Sequence, residues 1–168
     1  MKATILRYGL YGALLICVLF SASLIFAGGL DFSTQEIIGY VSMLISLSFV
    51  FFGIKHFRDQ ENNGKVTFGK ALLIGVLISL ITAVAFGLLD LVYVKYINPD
   101  FTAEYYAESL KQLEAKLPAA EFEIKRSEIE AEKELFMSPI MNFAIMASTV
   151  LVIGFIISLI SSIILQRK

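Results

Sequence analysis

Four apolar blocks, each long enough to cross a bilayer, constrain this chain more than any other feature. A hydrocarbon core of about 30 Å takes about 20 residues of helix at about 1.5 Å each. The blocks run from Ile5 to Ala27, Ile37 to Ile54, Ala71 to Val94 and Ile140 to Leu165. In lipid every unpaired backbone group costs several kcal/mol, so such blocks must be helical. Of the 168 residues 57% are hydrophobic, and mean hydropathy is +0.76, which agrees with a membrane class. The expected fold class is therefore an all-α integral membrane protein. Four transmembrane helices carry an extracytoplasmic helical hairpin between spans 3 and 4. One domain, 1–168, holds this hairpin as an insertion at 98–137.

The start, "MKATILRYGLYGALLICVLFSASLIFAGG", has the outline of a signal peptide, with Lys2 and Arg7 near an apolar run. From Tyr8 to Ala27 that run is about 20 residues, longer than a signal core of about 7–15. It reads as an uncleaved first span. Orientation follows from the basic residues. Lys2, Arg7, Lys55, Arg58, Lys65, Lys70, Arg167 and Lys168 all fall on one side of a four-span arrangement. The first connection holds Asp31 and Glu36 and no basic residue, and residues 95–137 hold six basic and ten acidic residues. Both termini are expected in the cytoplasm, in a cell inner membrane, with 98–137 outside.

Small residues recur every four positions in span 3: Ala71, Gly75, Ser79, Ala83 and Gly87. Span 4 repeats the pattern at Gly154, Ser158 and Ser162, and span 1 has Gly9 and Ala13. Residues four apart share a helix face, and small ones let backbones approach closely. Gly75, Ser79, Ala83, Gly87, Gly154 and Ser158, with Asp90 beside them, are thus candidate packing positions, within one chain or between copies in a homo-oligomer. Asp90 lies beside the same stripe, about one turn from the outer end of span 3. It is expected to be structural, reaching outer water or hydrogen-bonding inside the bundle.

The outer segment opens on a turn at Asn98-Pro99-Asp100, with Thr102 as the expected N-cap. Tyr106, Leu110, Leu113 and Leu117 then line one face of an amphipathic helix that Pro118 ends. A second helix places Phe122, Ile129 and Phe136 seven apart, with Glu121–Lys125 and Arg126–Glu130 as opposite-charge pairs. Ser138-Pro139 starts span 4. Tyr106, Leu110, Leu113, Leu117, Phe122 and Ile129 are the candidate interaction residues. Their apolar faces must meet each other, the bilayer surface or a partner.

No reaction constellation emerges. Cys17 stands alone, so one chain has no disulfide framework. His56, the single histidine, has no nearby cysteine and marks no metal site. "NNGKVTFGK" lacks the spacing of a phosphate-binding loop. The carboxylates Glu128, Glu130, Glu132 and Glu134 alternate and so spread over different helix faces. No catalytic residue, cofactor, metal or nucleic-acid partner is called for. The expected partners are membrane lipids and a membrane or envelope protein, met through the outer hairpin in a structural or protein-interaction role. The alternatives are a small ion or solute transporter acting as an oligomer, and a membrane-embedded enzyme.

The stretches "KHFRDQENNGKVTFGKALLIGVLISLITAVAF" and "VYVKYINPDF" bear a resemblance to a known family. The match lies in "GKVTFG", Gly64 to Gly69, at the start of span 3, and in Pro99, Asp100 and Phe101 after it. The chain resembles the domain of unknown function 4199 family, small four-span membrane proteins found chiefly in Bacteroidota. The resemblance implies four spans and a long outer segment over nearly the whole chain. It brings no activity and no functional residues.

Overall fold

A computed structural model describes residues 1–26 and 29–167, and their side chains except those of residues 135–137. Ala27, the Phe136 side chain and Lys168, all named above, lie outside the described residues. The chain is all-α. Among the described residues six α-helices follow in order: α1 Lys2–Phe26, α2 Phe32–His56, α3 Phe68–Val92, α4 Phe101–Glu114, α5 Ala119–Met137 and α6 Pro139–Leu165. Among the described residues the only β pairing is an isolated antiparallel bridge between Val66 and Arg167.

Four of the helices, α1, α2, α3 and α6, are long and apolar enough to cross a membrane. At 25 residues, α1, α2 and α3 each rise about 37 Å, against a core of about 30 Å. The chain is accordingly a multi-pass membrane protein. Two helices run further than hydropathy alone indicates. Beyond His56 a wider, π-type turn carries Phe57–Glu61, and beyond Val92 another carries Tyr93–Ile97. The polar composition of "FRDQE" reads as loop, yet the backbone keeps its helical course there. The connection to α3 shrinks to residues 62–67. It turns on Asn63 and Gly64, both with positive φ (51° and 77°), where glycine carries no Cβ penalty.

The start of α4 differs from the sequence expectation. The N-cap position is Asp100 rather than Thr102, which falls inside the first turn. Asn98 to Phe101 already forms a tight turn, Phe101 N–H donating to Asn98 C=O at 3.2 Å. The Phe101 ring packs edge-on to Tyr93, with centroids 5.3 Å apart, which draws Phe101 into the helix. The α5 charges also regroup. Arg126 pairs with Glu130 at 2.9 Å, but Lys125 reaches forward to Glu128 at 2.6 Å instead of back to Glu121.

The chain divides into two compact units, Met1–Phe86 with Met146–Lys168, and Gly87–Ile145. In the first, Ile16, Leu47, Val50, Ile54, Ile74, Ile78 and Val150 form the core. Tyr8, Tyr11, Phe49 and His56 cluster at its edge, with ring centroids 5.5–6.5 Å apart. Four helix ends are tied together there. The Met1 ammonium and the Thr4 hydroxyl both bond Glu61. Arg58 reaches the Leu165 carbonyl at 3.4 Å, and Val66 pairs with Arg167. The starts of α1 and α3 therefore share one end with the finishes of α2 and α6. In the second unit α4 and α5 contact each other across residues 115–118.

Candidate functional site

Among the described residues, two sets of polar groups inside the apolar helices stand out. The first is a seam of small residues in the first unit. A Cβ on Gly75 would lie 2.6 Å from Ser158 Oγ, and one on Gly154 would lie 2.5 Å from Ser79 Oγ. Each glycine of α3 or α6 thus receives the serine of the other helix, at a separation only glycine permits. The serine hydroxyls turn back onto their own helices. Ser79 donates to Gly75 C=O at 2.9 Å, Ser158 to Gly154 C=O at 2.6 Å and Ser162 to Ser158 C=O at 2.6 Å. The hydroxyls are satisfied locally, and the seam stays packed without a cross-helix hydrogen bond from them. Ala83 is buried beside this seam, as is Gly12 of α1, whose added Cβ would meet Thr82 Oγ1 at 2.6 Å.

The second set lies in the unit formed by Gly87–Ile145. Gly87 is buried there. Asp90 is 6% exposed and Asn142 2%. Asn142 Nδ2 donates to Asp90 Oδ2 at 2.6 Å, joining α3 to the first turn of α6. Pro139 starts α6 and Asn142 N–H closes onto Ser138 C=O at 2.8 Å, so the amide is placed one turn inside the helix. Of the two settings expected for Asp90, outer water or a hydrogen bond, the structure has the hydrogen bond. Asn142 was not singled out by sequence. The available signal was a lone amide in the apolar run "PIMNFAIM", as near the start of its helix as Asp90 is near the end of its own.

An aromatic chain continues through this unit. Tyr93, Phe101, Tyr105 and Tyr106 follow one another with centroids 5.3, 6.3 and 5.4 Å apart. Tyr106 is 6% exposed. Burial, then the charge of Glu132 and its neighbour Tyr105, pushes its phenol up to about 12. Tyr106 is therefore an interior residue. Leu110, Leu113, Leu117, Phe122 and Ile129 are half-buried, and Ile124, not among the candidates, is 63% exposed.

Arg58 was assigned by sequence only to the basic side. It forms a fork onto Asp59, with Nε–Oδ1 at 2.6 Å and Nη2–Oδ2 at 3.1 Å, and also donates to the end of α6. Among the described residues no group of three or more His, Cys, Asp or Glu side chains converges as for a metal ion.

Comparison with known proteins gives one match. The family model described as a protein of unknown function (DUF4199) covers residues 7–167. No curated protein and no solved structure matches the chain. The family match reaches from the first turns of α1 to the Arg167 bridge and takes in both polar sets, and on that coverage this chain belongs to the DUF4199 family.

Proposed function

We propose that this is a non-enzymatic protein of the cytoplasmic (inner) membrane whose α4–α5 segment forms a helical hairpin outside the bilayer and docks a membrane or envelope protein. The Lys/Arg asymmetry supports cytoplasmic termini with residues 98–137 on the extracytoplasmic side. One observation carries the interaction role. Helices of 14 and 19 residues lie between two membrane-spanning helices in the sequence, and most of their described apolar side chains, Tyr106 apart, are only partly covered. Leu110, Leu113, Leu117, Phe122 and Ile129 retain exposed surface, and Ile124 is mostly exposed. Partly covered anchors of this kind gain most from a partner that completes their burial.

Photo-crosslinkers at Leu113, Phe122 and Ile124 in native membranes test this reading. The expected result is a reproducible adduct with another protein that disappears when Ile124 is replaced by Glu. Adducts confined to α4 and α5 of the same chain would contradict it. Asp90 and Asn142 favour a second reading, transport, because ionisable groups inside spans commonly mark ion pathways. Loss of proton- or sodium-dependent flux from reconstituted vesicles on Asp90→Asn substitution, with folding intact, would put that reading first.

A further inference from the structure

We infer that the end of the first unit where α2, α3 and α6 meet binds the headgroup of an anionic phospholipid, held by Lys55, Lys70 and Arg167. Orientation in a membrane requires basic residues on one side, but it does not require them to be gathered. Here the fold brings Arg167 back onto the connection that runs between the helix ends carrying Lys55 and Lys70. Val66 N–H donates to Arg167 C=O at 2.9 Å, and Arg167 N–H returns to Val66 C=O at 2.8 Å. The buried side chains of Val66, Leu165 and Phe57 anchor this crossing. The segment after α6 is thereby fixed on the α2–α3 connection, with Arg167 beside it.

The acidic groups of that end are already engaged. Asp59 accepts the Arg58 fork, and Glu61 accepts the Met1 ammonium and the Thr4 hydroxyl. Among the described residues no ion pair joins Lys55, Lys70 or Arg167 to a carboxylate within 4.0 Å. All three are exposed. They belong to the same end of the unit. Lys70 Nζ sits 5.2 Å from the centroid of the Phe57 ring, and Lys55 and Arg167 both lie within electrostatic reach of Asp59. Exposed rings of Phe52 and Phe68 flank the cluster, where apolar helix gives way to polar chain.

Cations that make no direct ion pair, beside apolar rings, fit a phosphate that carries acyl chains. A zwitterionic headgroup brings its own cation and gains less from the cluster, so the site selects anionic lipid. Each basic residue near an anionic surface contributes roughly a five-fold gain in affinity.

Native mass spectrometry of the protein from nanodiscs of mixed phosphatidylglycerol and phosphatidylcholine tests the site. The unmodified protein should retain phosphatidylglycerol preferentially. A Lys55→Gln/Lys70→Gln/Arg167→Gln variant should bind it at least about tenfold more weakly. A variant with the same loss of charge elsewhere, Lys111→Gln/Lys116→Gln/Lys133→Gln, should bind as before. Undiminished retention by the first variant, or equal loss in both, overturns the inference. Displacement of the lipid by inorganic phosphate would assign the cluster to a soluble anion and overturn it too. A photoactivatable phosphatidylglycerol on the unmodified protein needs no substitution. Its adducts should concentrate at residues 52–70 and 165–167, and an even spread along the lipid-facing helices contradicts a site.

Discussion

A carboxyl group within an apolar helix needs a polar partner, and Asp90 has one in Asn142. Leaving a buried acceptor unpaired costs about 1–3 kcal/mol. Asn142→Leu is therefore expected to lower stability by that amount, whereas Asp90→Asn, which preserves an amide acceptor for the bond, costs less. Thermal unfolding in detergent separates the two, and equal losses would show that the hydrogen bond is not what holds this contact. Asp31 offers a pH test outside the membrane. The Thr34 backbone N–H, at 2.9 Å, and then the Thr34 hydroxyl, at 2.8 Å, hold its carboxyl below the usual carboxylate range. A lowered value means the folded state favours the ionised form. The cap's contribution is then fully present above the unfolded value of about 3.9 and fades as pH falls through the lower folded value. Hydrogen exchange at the start of α2 should quicken across that acid window, and Asp31→Ala should remove the pH dependence.

Between elements, the decisive contact is the mutual fit of α3 and α6 through Gly75–Ser158 and Gly154–Ser79. Gly75→Ala puts a methyl into a packed position and should cost about 1–3 kcal/mol. Adding Ser158→Gly should restore part of that loss, since the two side chains compete for one space. Gly39→Ala in α2 is the control. Nothing lies within 4 Å of its added Cβ, and Ala favours helix over Gly by about 0.5–1 kcal/mol. A double-mutant cycle measures the coupling, and purely additive losses would place the cost elsewhere than in this contact. The four-residue spacing of small residues was legible in the sequence, because periodicity marks a face. Which helix would fill that face was not, because spacing carries no information about the partner. The same division holds elsewhere. Apolar blocks located the spans, but hydropathy reads polarity, so it stopped at Ile54 while the backbone continued helically to Glu61. Thr102 is a good capping residue by propensity, yet the Phe101–Tyr93 contact started the helix earlier. Asp90 stood out as the one charge in its block, whereas Asn142, uncharged, did not.

In the whole molecule, four helix ends share one side, joined by Glu61, Arg58 and the Val66–Arg167 bridge. Arg58 forks onto its neighbour Asp59 and reaches the end of α6 by a single bond, to the Leu165 carbonyl at 3.4 Å; bonds from a charged donor contribute about 1.5–3 kcal/mol when well made. Partial exposure reduces this, and Arg58→Ala is expected to cost about 1 kcal/mol or slightly more. Arg58→Lys, which lacks the fork, should recover little of it. The same end carries the basic residues, and this ties the fold to its orientation. An alkaline phosphatase or green fluorescent reporter fused after Asn63, Ala115 and Lys168 measures that orientation directly. Fluorescence after Asn63 and Lys168 with phosphatase activity after Ala115 is the expected pattern, four spans with α4 and α5 outside. Phosphatase activity after Asn63, or fluorescence after Ala115, would contradict it.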